Sequence, residues 1–213
     1  MIAPPKKSQR GAVLLVALVM LLIITLLAVS NMRGVTLESR ITANRAHEAQ
    51  ARNVADAAIR EAEFRFYGPS NLADKLEPNA SNCATTNKLV VTGNNKPCLL
   101  DIVNAPTRLS FVNEPYTLTE SNKSTVLSSI SNNGLAWMPY TGLDPKDSTE
   151  ASDVYNAQWN SILATENSNA AINAEYGMVA EGQGTYFYLN NGKAGNNLYL
   201  QSTNANIYLG LNN

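Results

Sequence analysis

A chain of 213 residues accommodates one globular domain and an appendage, with no room for a second full domain. Its formal charge of -1 and pI of about 5.9 supply no basic field that would hold nucleic acid or cover an anionic lipid surface. Only 15% of the residues are charged, while Asn, Ser and Thr are abundant after Tyr67, a balance that suits an extracytoplasmic, loop-rich surface.

The first element is apolar. Between Arg10 and Arg33 no residue is charged, and only Thr25, Ser30 and Asn31 are strongly polar. At about 1.5 Å per residue such a run crosses a hydrocarbon core of about 30 Å. Lys6, Lys7 and Arg10 stand directly before it, so the positive-inside rule holds the N-terminus in the cytoplasm and sends the remainder outward. Three fates are open to this segment. A cleaved secretory signal has small residues at its cleavage site, which Ala28-Val29-Ser30 supplies, but residues 12–29 exceed the usual apolar core of about 7 to 15 residues. A permanent anchor is compatible with the hydropathy. The third fate follows from Gln9-Arg10-Gly11, where a positive charge and a glycine abut the apolar Ala12-Val13-Leu14. Here the chain resembles the type IV prepilins, whose short basic leader ends in a glycine and is cut on its cytoplasmic side by a prepilin peptidase. The resemblance implies a leader over residues 1–11 and cleavage between Gly11 and Ala12.

After Gly34, the stretch VTLESRITANRAHEAQARNVADAAIREAEFRF lacks Gly and Pro and is rich in Ala, Glu and Arg, which predicts helix to about Phe66. Leu37, Ile41, Ala51, Ala55, Ala58, Ile59 and Ala62 recur at intervals of mostly three and four, and charged residues take the other faces. The expected organisation is one helix over 12–66, roughly 80 Å long at the standard rise. Its first part, 12–32, is transmembrane, and its second, 33–66, is amphipathic and packs on the chain's own head. Acid-first pairs Glu48/Arg52 and Asp56/Arg60 support it by about 0.2 to 0.5 kcal/mol each.

With leader and helix together, residues 9–63 resemble the N-terminal region of PilX-type minor pilins. The resemblance implies a pilin-like α+β fold, a role in type IV pilus assembly at or near the filament tip, and a set of partners. These are the inner membrane, the prepilin peptidase, other minor pilins, the major pilin and a PilY-type tip adhesin. One position departs from most pilins, which carry a glutamate fifth after the cut that is thought to neutralise the N-terminal amine of a neighbouring subunit. Counting from Ala12, that position is Val16. An unpaired ammonium inside an apolar bundle costs several kcal/mol, so a subunit without the carboxylate is a poor repeating unit. PilX proteins and the K-type pseudopilins of type II secretion share this lack, and both are associated with filament tips. A tip-forming pseudopilin is therefore the alternative reading. Either way the protein is expected in the inner membrane first, with its head periplasmic, and on a surface filament afterwards.

Gly68-Pro69 ends the helix and opens a head over 67–213. Strands are predicted at KLVVT (88–92), CLLDIV (98–103) and TRLSFV (107–112), with turn material at Gly93-Asn94-Asn95-Lys96-Pro97. Cys83 and Cys98, an even pair in an exported region, read as one disulfide closing a loop of about 15 residues. Trp137 and Trp159 read as packing residues. Four further strands are expected at YGMVAE, TYFYLN, NLYLQ and NIYLGL, with Asn191-Gly192 as a hairpin turn. Tyr186 and Tyr188 alternate with Phe187 and Leu189 as the buried face of an antiparallel sheet would, and α+β is favoured over α/β because no fully apolar strand occurs.

No catalytic constellation is legible, and neither enzyme activity nor a cofactor is expected. His47, the one histidine, fails the His-Glu-x-x-His zinc pattern at Ala51. Asp144, Asp147, Glu150 and Asp153 cluster without calcium-loop spacing or its glycine, so a solvated loop is favoured over a metal site.

Overall fold

An uninterrupted supply of helix-forming residues produces helix α1 over Arg10–Phe64. The computed structural model describes residues 10–67, 71, 75–89, 95–142, 155–164 and 184–208. Residues 1–9 of the leader expected over 1–11, the acidic stretch 144–153 and the expected strand at 176–181 therefore lie outside the described residues. The chain divides into two compact units, Met1–Ala49 and Gln50–Asn213.

In the first unit, every side chain described from residue 12 onward is exposed, including Leu37 and Ile41. Thr25 Oγ1 donates to the Leu22 carbonyl at 2.9 Å, which satisfies its hydroxyl within the helix.

In the second unit, α1 buries Ala55, Ala58, Ile59 and Ala62. The small stripe allows the helix backbone to approach the sheet closely. At its end the hydrogen bonding tightens, with Phe66 N donating to Glu63 O and Tyr67 N to Phe64 O, both at 3.1 Å. Asn71 Nδ2 adds a donor to the Arg65 carbonyl at 2.7 Å.

The sheet contains β1 (Leu99–Leu100), β2 (Met138–Pro139), β3 (Gln158–Leu163), β4 (Gly184–Ala194) and β5 (Leu198–Tyr208). β3 is central: β4 pairs antiparallel along one edge, while β2 and β1 share the other, antiparallel and parallel respectively. β5 continues the sheet beyond β4 in an antiparallel pair. Fold and class are thus α+β and pilin-like, with an antiparallel-rich sheet that includes one parallel pair.

Tyr186, Tyr188 and Tyr208 are buried with Phe66 and Leu99, so the tyrosine face is core. The Phe66 and Tyr188 rings lie 5.0 Å apart, and the hydroxyls of Tyr188 and Tyr208 are 3.0 Å apart. Burial raises the pKa of both tyrosines. Trp159 and Trp137 belong to the second cluster, around Ala58, Ala62, Phe111 and Ile162. The buried amides of Asn160 and Asn191 are satisfied across the sheet: Asn191 Nδ2 donates to Asn160 Oδ1 and the exposed Gln201 Nε2 to Asn191 Oδ1, each at 2.9 Å.

Three strand expectations need correction. TRLSFV lies in helix α2 (Ala105–Asn113), because Asn104 Oδ1 accepts from Thr107 N at 2.9 Å and Pro106 occupies the first turn, where its missing N–H is harmless. Of CLLDIV only Leu99–Leu100 forms a strand, with Ile102 making an isolated bridge to Leu127. Leu198–Gln201 of NLYLQ and Asn206–Tyr208 of NIYLGL are parts of the single strand β5, so the Ser202-Thr203-Asn204 punctuation lies within it, while residues 209–211 lie outside the described residues. The hairpin turn is at 195–197, where Gly195 has φ +61°, and Asn191-Gly192 lies inside β4, paired with Gln201 and Leu200. KLVVT extends into residues outside the described set, and its described part, Lys88 and Leu89, is not in a strand.

Candidate assembly interface

The residues from Ala12 to Met32 form an exposed helical surface made almost wholly of Ala, Val, Leu, Ile and Met. Within a lone chain, such a surface is unstable in water. Burying each large side chain is worth about 1.5 to 3 kcal/mol, so lipid or the apolar helices of other subunits must cover it. Among the described residues this is also the one helix long and apolar enough to cross a membrane.

Gly11 and Ala12 lie in the first turn of α1. Val16 is 56% exposed on the apolar surface, and no carboxylate occurs before Glu38. A neighbouring amine brought against this part of the helix finds no partner from it.

Where the same helix meets its head, a charged pair is wholly buried. Arg65, with no exposed surface, donates from Nη2 to Glu61 Oε1 at 2.8 Å. Its other contacts are Asn87 Oδ1 at 3.0 Å, the Asn87 carbonyl at 3.1 Å and the Trp159 ring, 5.0 Å from the guanidinium. Glu61 Oε2 accepts from the backbone N–H of Thr141 at 2.7 Å and of Gly142 at 3.1 Å. One ion pair therefore ties three remote segments to the end of α1. Buried pairs add little net stability, but removing one partner strands the other charge. The sequence reading missed this pair, although its acid-first i,i+4 spacing matches Asp56/Arg60. The latter is a 2.8 Å contact between largely exposed side chains. What distinguishes Glu61 and Arg65 is that they flank the buried Ala62 and Phe66.

Cys83, at the end of a short 3-10 helix (Ala80–Cys83), is bonded to Cys98, which precedes β1. Among the described residues there is no group of three or more His, Cys, Asp or Glu placed to hold a metal.

The family model described as PilX N-terminal matches residues 10–60. In this N-terminal region the chain matches the PilX-type pilin family. Neither curated proteins nor solved structures gave a significant match. The PilX match spans the apolar surface and most of the packed stripe of α1. The head lies outside it. That family is a structural component of the type IV pilus system, and the exposed apolar helix of this chain fits association with membrane and pilus.

Proposed function

We propose that this chain is a minor pilin that primes assembly of a type IV pilus and resides at its tip, with other minor pilins and a PilY-type adhesin as partners. It waits in the inner membrane as a single-pass protein, cytoplasmic at its N-terminus and periplasmic at its head. Prepilin peptidase removes residues 1–11, leaving the helix over 12–66 and the head over 67–213. The observation that carries this reading is the exposed apolar surface beginning at Ala12 with Val16 at the fifth position. A surface without a carboxylate joins other helices through apolar contact but leaves the amine of an added subunit unpaired, which favours one terminal copy over a repeating series.

N-terminal sequencing of the mature protein tests the processing step. Ala12 is the expected first residue, and Gly11→Val is expected to leave the leader attached, because a branched side chain blocks the cut. Intact Met1, a start at Asn31, or normal processing of Gly11→Val would each overturn the proposal.

A further inference from the structure

The head has an open groove of about 430 Å³ far along the chain from the assembly helix. Trp137 forms its floor. Only 3% of it is exposed, and its Nε1 donates to the Leu118 carbonyl at 2.9 Å, so the indole is fixed. Tyr199 meets Trp137 edge-on with centroids 5.9 Å apart, and Tyr116 lies 6.2 Å from Tyr199. Tyr116 is 54% exposed and Tyr199 is half-buried, so their rings are the accessible walls.

The polar groups are arranged unequally. Lys193 Nζ sits over the Trp137 ring, 4.5 Å from its centroid. Burial lowers its pKa, opposed by the charge of Glu120. The Glu120 carboxylate is itself engaged: Oε1 accepts from Ala136 N at 2.7 Å, and Oε2 pairs with Lys123 Nζ at 2.9 Å. Glu120, whose charge acts on Lys193, is thus shared with Lys123, and the groove offers the Lys193 ammonium to a guest.

These features discriminate among guests. A cationic ligand, the usual occupant of an aromatic cage, finds the Trp137 face already taken by Lys193 and is repelled by it. A wholly apolar guest would desolvate Lys193 and Gln158 without returning hydrogen bonds. A saccharide meets both demands, since its C–H faces lie against tyrosine rings and its hydroxyls bond the Gln158 amide. A carboxylate on the sugar adds a charge-assisted bond to Lys193. The volume is within the range of small-ligand sites, about 300 to 1,000 Å³. We propose that the groove between Tyr116, Trp137, Tyr199 and Lys193 binds a short acidic saccharide, which would give the pilin head a glycan-binding activity separate from assembly.

The test uses the full chain solubilised in detergent, titrated with trigalacturonic acid and, separately, with maltotriose, by calorimetry and tryptophan emission. Saturable binding of trigalacturonic acid is expected, with maltotriose weaker by about tenfold, a difference of about 1.4 kcal/mol. Tyr116→Ala, at an exposed position that cannot disturb the core, is expected to weaken the acidic sugar about fivefold to tenfold. Lys193→Gln is expected to remove the preference for it over maltotriose. Tyr199→Phe retains the ring and is expected to bind normally. Absence of saturable binding by trigalacturonic acid would overturn the proposal, as would a Tyr116→Ala variant that binds like the natural chain. Equal affinity for the two sugars in the natural chain would overturn the acidic preference. Processing at Gly11 is read independently, so failure here leaves the pilin assignment to its own test.

Discussion

A single methyl group at Gly192 has nowhere to go. A β-carbon there would lie 2.5 Å from Ile59 Cγ1 and 2.6 Å from the Ala55 carbonyl oxygen. The side chain of Ile59 can rotate, but the helix backbone can yield only by lifting α1 from the sheet. Gly192→Ala is therefore expected to destabilise the head by about 1 to 3 kcal/mol, the usual range for overpacking. Thermal unfolding followed by near-ultraviolet circular dichroism should show a midpoint several degrees lower, and adding Ile59→Ala should not restore it because the Ala55 carbonyl remains. An unchanged midpoint would refute the close approach. The same residue shows why local chemistry misleads: Asn-Gly has the strongest short-range turn preference, yet here the glycine is required by a helix that is distant in sequence. Glu61 and Arg65 were equally hidden, since their spacing signals a helix pair without revealing which face is covered. The alternation of Tyr186 and Tyr188 was legible because a half-buried strand repeats every two residues whatever lies above it.

At the level of elements, α1 was readable because 55 residues of favourable composition override any local ambiguity. Its change of surface was less readable. The apolar periodicity suggested packing from Leu37 onward, but burial begins with the alanine-rich turns after Gln50. α2 was misread because only Leu109-Ser110-Phe111 of TRLSFV alternates, and one capping bond from Asn104 outweighs so short a pattern. Among the described residues between α1 and β1 lies the 3-10 helix Ala80–Cys83, and the Cys83–Cys98 bond ties its end to the start of β1. With a sequence separation of 15, its loss is expected to cost about 3 kcal/mol in the chain-entropy account. Denaturant titration of the full chain in detergent, with and without reductant, should show that difference, whereas membrane fractionation of a Cys83→Ala, Cys98→Ala variant should be unchanged because insertion depends on residues 12–32. Identical midpoints with and without reductant would contradict the restraint, and loss of membrane association would contradict the independence of the two units.

For the whole molecule, the fold class was legible from composition and periodicity, while the groove around Trp137 was not, because its walls come from residues 116, 137, 193 and 199 and only folding brings them together. On the proposed function, the position in a filament is set at the other end of the chain. If Val16 restricts the protein to one end, cells lacking it should assemble few filaments, whereas filaments purified from normal cells should contain it in trace amounts relative to the major pilin. Quantitative mass spectrometry of sheared filaments measures the ratio, and immunogold labelling gives the position. Val16→Glu introduces a carboxylate at the fifth position after the proposed cut and is expected to raise incorporation, with label spreading from the tip into the shaft. Incorporation of the variant also requires the head to fit its neighbours, so the ratio in unmodified filaments is the decisive measurement. Uniform label along those filaments, at a stoichiometry comparable to the major pilin, would show that an uncompensated amine does not govern where this subunit sits.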